Sequence, residues 1–171
     1  MNNPFYSKIS IVRYLLNRKF RKIANGIKSG KILELGAGPI SYKRLFPSCT
    51  VISTDLKMYP GVDEIADVTK LKYSSSSFDY VICLSVLEHV FETEKAIYEM
   101  YRVLKKGGCV IILTPFLYPL HDEPHDYYRF TQYSYRKLLK DFERVEIDTT
   151  SVLNFWIFKK FVLFYMVKAY K

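Results

Sequence analysis

Apolar positions follow two rhythms along this chain. Over residues 8–28, Val12, Leu16, Phe20, Ile23 and Ile27 recur at helical spacing and share one face. Arg13, Arg18, Lys19, Arg21 and Lys22 crowd the remainder, which reads as a solvated basic face in preference to an anion-binding patch. From Lys31 the rhythm changes. Short, almost continuous apolar runs at 31–35, 50–56, 64–68, 78–86 and 109–115 read as strands, joined by 144–152 and 161–170 nearer the C-terminus. Continuous apolarity means that both faces are covered, as in a parallel sheet flanked by helices.

Between the fourth and fifth strands, Ala96, Ile97, Met100, Tyr101 and Leu104 form the buried stripe of a helix over 93–105. Glu92 and Glu94 open it, Arg102, Lys105 and Lys106 close it, and Gly107-Gly108 is expected to stop it. A last helix is expected over 132–142, with Thr131 as N-cap and Tyr135, Leu138, Leu139 and Phe142 turned inward. Strands alternating with helices predict a doubly wound α/β fold: a mostly parallel, seven-stranded Rossmann-like sheet with helices on both faces and the last strand antiparallel. No linker or repeat interrupts it, so residues 1–171 read as a single domain. The basic helix at 8–28 precedes a core at 30–152, and a strand region at 153–171 follows.

Composition narrows this picture. Apolar residues are 49% and charged residues 25%, which argues against disorder. The net charge of +9 favours anionic partners as much as simple solubility. Cys49, Cys83 and Cys109 form no CxxC pair, and buried free thiols in a reducing cytosol are expected. The opening MNNPFYSKISIVRYLL has neither an uninterrupted apolar core nor a small-residue cleavage site, so no signal peptide is read. No apolar run approaches the ~20 residues of a spanning helix. A cytoplasmic protein is expected.

In an open α/β sheet, ligands bind beyond the C-terminal ends of the strands. There the first strand runs into Gly36-Ala37-Gly38, a turn that lets backbone N–H groups approach a ligand. Asp55 ends the second strand nineteen residues after Gly36, placed to accept both hydroxyls of a ribose. Asp67 at the end of the third strand suits an adenine amino group. A nicotinamide-dinucleotide module is the competing reading, but Ser41 stands where its third glycine belongs and no catalytic domain follows.

The run LELGAGP…VISTDL…EIADVTKL…SSFDYVICLSVLEHV…AIYEMYRVLKKGGCVIILTP resembles the class I S-adenosylmethionine-dependent methyltransferases, over roughly residues 30 to 150. The resemblance implies S-adenosylmethionine as cofactor. It implies that Glu34, Gly36, Ala37 and Gly38 hold the methionine moiety, that Asp55 holds the ribose with Leu56 beside the adenine, and that Asp67 and Val68 meet the adenine edge. Ser85 and Val86 match the end of the fourth strand, where a backbone carbonyl meets the cofactor's amino group. Only eleven residues separate Asp55 from Asp67, too few for the helix usual between those strands.

The stretch PLHDEPHDYYRFT (119–131) follows the fifth strand and is too long and polar for a mere connector. It is expected to fold over the cofactor as the acceptor-binding wall. His121 or His125 would be the general base, Tyr127, Tyr128 and Arg129 would orient the acceptor, and His89 would face them across the pocket. Asp126 is expected at least to pair with Arg129. A metal bound by His121, Asp122, Glu123 and His125 is not expected, because Pro124 disfavours a helix presenting both histidines and no outside ligand is evident.

The acceptor expected is a small molecule or glycoconjugate methylated at oxygen, since the segment after the fifth strand resembles that of methyltransferases of polysaccharide or other glycoconjugate pathways. An RNA-directed methyltransferase is the alternative suggested by the charge, but the basic residues are scattered and nucleic acid is not an obligatory partner. The tail LNFWIFKKFVLFYMVKAYK is expected to end in an edge-region strand antiparallel to the sixth. Its alternative is peripheral contact with an anionic membrane surface through a Trp- and Lys-anchored helix.

Overall fold

The computed structural model describes residues 11–150 and 162–171. Seven strands form one sheet: β1 (Lys31–Leu35), β2 (Thr50–Asp55), β3 (Glu64–Ile65), β4 (Phe78–Leu84), β5 (Leu104–Pro115), β6 (Arg144–Thr150) and β7 (Phe164–Tyr170). Their order is β3-β2-β1-β4-β5-β7-β6, and only β7 runs antiparallel to its neighbours. The chain reverses between β1 and β4, so β1 feeds β2 on one side while β4 lies on the other. That switch opens a crevice at the strand ends.

Neighbouring residues on the central strands serve two different cores. On β1, Ile32 joins one cluster while Leu33 and Leu35 join the other; on β5, Ile111 and Leu113 oppose Val110 and Ile112. This is why the sequence shows continuous rather than alternating apolarity. The first cluster is roofed by α1 (Ile11–Gly26) through Phe20 and Ala24, with Leu16, Ile23 and Ile27 packed at its margin. The second is roofed by α2 (Thr93–Val103) through Ala96, Ile97 and Met100, and by α3 (Gln132–Leu138) through Tyr135. Full burial of a large side chain such as Phe20 or Met100 is worth about 1.5–3 kcal/mol. The expected start of the first helix at residue 8 and the strand onset at 161 lie outside the described residues.

Several boundaries differ from the sequence reading. The helix at 93 does not continue to the glycines. Leu104 is already extended (φ −70°, ψ 138°) and pairs with Phe78, so the strand begins there. Lys105 to Gly108 form a bulge, since the pairing jumps from Phe78↔Leu104 to Tyr80↔Cys109. A Cβ on Gly108 would meet the Asp79 carbonyl oxygen at 3.0 Å, so this glycine permits close backbone approach and stops no helix. Lys105 likewise leaves the helix and reaches Asp79 at 2.9 Å. The third strand is only Glu64–Ile65, which leaves Asp67 and Val68 in the turn beyond it.

The last helix ends at Leu138, with Leu139 and Phe142 buried just after it. Its start is as expected: Thr131 and Ser134 form a reciprocal capping box. The segment between Asp55 and Asp67 carries no helix, as its length implied. The glycine turn also opens no α-helix; a single 3-10 turn, Lys43–Leu45, follows it. β7 is not an edge strand. It lies between β5 and β6, and β6 forms the edge. Among the described residues, no helix is long and apolar enough to cross a membrane.

Candidate active site

Glu34 is buried, and its carboxylate accepts three hydrogen bonds. Oε2 accepts the hydroxyls of Ser41 (2.6 Å) and Ser53, and Oε1 accepts the Tyr42 N–H (2.8 Å). Ser41, at the position of the missing third glycine, therefore ties the loop after Gly38 back to β1 and β2. The role implied for Glu34 with the cofactor narrows in consequence: its oxygens hold the loop in shape.

The turn itself is left-handed at Gly36 (φ 64°) and Gly38 (φ 58°). A Cβ on Gly36 would lie 2.2 Å from Val86 Cγ2, so only glycine lets β1 close against the end of β4. Ser85 is turned out of β4 with φ 55°, a conformation that non-glycine residues rarely adopt, and its N–H donates to the Leu113 carbonyl (2.8 Å). Asp55 receives the Gly38 N–H on Oδ2 (2.9 Å) and the Lys57 N–H on Oδ1 (3.0 Å). A carboxylate has about four lone-pair sites, so two such bonds leave capacity for a ligand. Asp67 Oδ1 accepts the N–H and the hydroxyl of Thr69.

Two cavities of about 730 and 800 Å³ adjoin at this turn, and Gly36, Asp55, Tyr59, Ser85 and Asp122 line both. Glu34, Ala37, Gly38, Tyr118 and His121 line only the first. Leu56, Asp67, Val68, Val86, His89 and His125 line only the second. All ten residues expected to touch the cofactor thus face one or other cavity.

The segment 119–131 does fold over the strand ends. Its backbone is fastened to the turn after β4, where the Tyr127 and Tyr128 N–H groups donate to the Glu88 carbonyl (2.8 and 3.2 Å). Asp126, with a side chain 1% exposed, grips the Arg129 guanidinium with both oxygens (2.5 and 2.7 Å) and accepts the His121 N–H (3.0 Å). Those bonds, the guanidinium foremost, hold the Asp126 carboxyl far below the usual range despite its burial.

Tyr127, Tyr128 and Arg129, expected to orient an acceptor, are not among the residues that line these two cavities. Arg129 spends its donors on Asp126 and nearby carbonyls, Tyr128 donates to the Phe91 carbonyl, and Tyr127 meets the His125 ring. These bonds brace the wall.

The histidines separate. His121 and His89 stack edge to face, 4.7 Å between ring centres, where the two cavities meet. His125 stands apart, its Nδ1 2.8 Å from the Tyr127 hydroxyl and its ring on the second cavity. Beside the first two lies Glu88, which the sequence reading passed over as part of the V-L-E-H-V run. It is 0% exposed, and neither carboxylate oxygen has a hydrogen-bond partner among the described residues. Burial, with Asp126 and Asp122 nearby, pushes its carboxyl up to about 8. An acid ending an otherwise apolar strand run was the available signal. Such a group is costly to bury and calls for a reason.

A methyltransferase-domain family matches residues 33–112. Among curated proteins, the ubiquinone/menaquinone biosynthesis C-methyltransferase of Haemophilus ducreyi is 36% identical over 72% of this chain and 55% of its own length. The namesake from Pasteurella multocida is 29% identical over 78% of this chain and 57% of its own. The demethylmenaquinone methyltransferase of Streptomyces avermitilis is 31% identical over 56% of this chain and 46% of its own. The chain therefore spans about half the length of these relatives. In fold it is similar to S-adenosylmethionine-dependent methyltransferases from Archaeoglobus fulgidus (TM-score 0.73, 13% identity, 93% of this chain and 94% of that one) and Mesorhizobium loti (TM-score 0.71, 16% identity, 90% and 96%). Its reversed strand order, its glycine turn closed on β4 and the family match over residues 33–112 together support a class I S-adenosylmethionine-dependent methyltransferase.

Proposed function

We propose that this chain transfers the methyl group of S-adenosylmethionine to a hydroxyl of a small-molecule or glycoconjugate acceptor. In this reading the adenosine occupies the second cavity. Asp55 accepts the ribose hydroxyls, the second oxygen of Asp67 takes the adenine amino group, and Leu56 and Val68 cover the ring. The methionine end lies along Gly36, Ala37 and Gly38 with Ser85 opposite, and the acceptor enters the first cavity.

One observation carries the reading. His121, on the segment after β5, lines the same cavity as the glycine turn, so acceptor wall and cofactor turn share one space. Transfer breaks the sulfonium C–S bond, forms a C–O bond and frees one proton. The sulfonium is already activated, so the protein's task is to align donor and acceptor and exclude water. The proton leaves through the cluster of His121, His89 and Glu88. His125 faces the adenosine half and is not needed for that step.

The test is incubation with methyl-labelled S-adenosylmethionine and fractionated metabolites, followed by structural assignment of the product. An O-methylated product from wild type, with turnover cut by roughly 10²-fold in His121→Ala and little changed in His125→Ala, supports the reading. Two of the named relatives are C-methyltransferases, so a methyl group found on carbon would replace the oxygen acceptor while keeping the cofactor assignment.

A further inference from the structure

Glu88, His89 and His121 each offer a ligand atom, and these atoms lie within 4.8 Å of one another. We propose that they form a binding site for a first-row divalent cation of the zinc class. This goes beyond the methyl-transfer reading and does not depend on it.

Three features of the site point the same way. The first is the orphaned carboxylate. Glu88 is wholly buried and its two oxygens find no donor among the described residues, while its Oε1 lies 4.0 Å from His121 Nε2. A cation among these side chains would supply the partner that the protein does not. The second is the orientation of the imidazoles. His121 Nδ1 sits 3.2 Å from both the Asp126 carboxylate and the Pro119 carbonyl, and His89 Nδ1 sits 2.9 Å from the His125 carbonyl. Each ring thus turns Nδ1 to an acceptor and leaves Nε2 as the atom that can bind a metal, the arrangement by which outer partners fix metal-binding histidines. Asp126 is in turn locked by Arg129, so the support extends one layer further.

The third feature is the donor set and its spacing. Two imidazole nitrogens and one carboxylate suit zinc, iron or manganese, and leave positions open for water or a hydroxyl. Metal–donor bonds of about 2.0–2.2 Å need donors about 3–4 Å apart, so the present separations close with small side-chain rotations. Asp122, with φ 53°, places Oδ2 3.9 Å from His89 Nε2 at the rim and can supply a fourth donor. The ligands come from two segments. Glu88 and His89 belong to the turn after β4, and His121 to the segment pinned on the Glu88 carbonyl by Tyr127 and Tyr128. With a cation in place, a hydroxyl or water in an open position would be acidified, so the cation and not an imidazole would free the proton at this cluster.

The full chain, stripped with chelator, is titrated with zinc in competition with a chromophoric chelator, and S-adenosylhomocysteine binding reports folding throughout. One equivalent should bind tightly. Glu88→Gln, which keeps the volume, and His121→Ala should each weaken zinc by more than about 100-fold. Asp126→Asn, one shell out, should cost about 10–100-fold. His125→Ala should change nothing, since only its carbonyl serves His89. Absence of stoichiometric zinc, undiminished affinity in Glu88→Gln, or an equal loss in His125→Ala overturns the site. Zinc binding without methyl transfer would sink only the proposed activity, and transfer by a zinc-free protein that binds no zinc only this inference.

Discussion

The carboxylate of Asp55, at the end of β2, accepts the backbone N–H of Gly38 at 2.9 Å and so fastens the acid to the glycine turn of β1. The group proposed to hold the ribose also shapes the loop proposed to hold the methionine end. Asp55→Ala removes both functions. Losing one or two charge-assisted bonds costs ~1.5–3 kcal/mol, or roughly a ten- to hundredfold loss of S-adenosylhomocysteine affinity. Calorimetry on the folded variant measures this, and unchanged affinity would refute the ribose assignment.

Gly36→Ala should fail for a reason visible in the contact with Val86. The added methyl would stand 2.2 Å from Val86 Cγ2 at a left-handed φ of 64°. Overpacking and backbone strain together predict a loss of about 2–4 kcal/mol. Val86→Ala in the same chain should restore part of it, the steric share, while the strain remains. Urea denaturation of single and double variants separates the two; no recovery in the double variant would show that the clash does not matter.

Asp79 anchors the bulge far from the cavities. Its carboxylate accepts the Lys31 N–H (2.7 Å) and pairs with Lys105 (2.9 Å), and these bonds, the backbone one first, lower its pKa below 3.8. A depressed carboxyl stabilises the fold above its unfolded value, and the benefit fades as pH falls through the folded value. Asp79→Asn should therefore cost about 1–2 kcal/mol at pH 7. The gap between variant and wild type should shrink below pH 3.8. A gap that stays constant down to acid unfolding would contradict this assignment.

Removal of residues 162–171 should abolish soluble, folded protein. β7 lies between β5 and β6, paired with both along its whole length, and buries Phe164, Met166 and Val167. Without it β6 has no neighbour, and the inner edge of β5 is open to other chains. Circular dichroism and size-exclusion behaviour of the truncated chain decide the matter. A truncated protein that remains folded and merely loses affinity for anionic vesicles would restore the membrane-anchor reading of the tail.

Much of the fold was legible in the chain because it rests on local rules. Continuous apolar runs ended by Gly36, Asp55 and Ser85 identify parallel strands and the end at which ligands bind. Thr131 and Ser134 cap their helix through neighbours three residues apart. What the sequence could not decide depends on contacts between segments distant along the chain. Whether the tail strand sits at the edge or inside the sheet is a pairing choice between β5 and β6, and both pairings suit the same residues. The polar segment shows the same division. Its composition marked it as unusual, but Tyr127, Tyr128 and Arg129 look alike in sequence whether they face a ligand or brace a wall. Only the fold sets His121 against His89 and Glu88, thirty-two and thirty-three residues away in the chain, while His125, four residues on, points elsewhere. Periodicity reports which face is buried. It is silent on which buried polar group finds a partner, and at Glu88, which has none among the described residues, that is the question the tertiary structure raises.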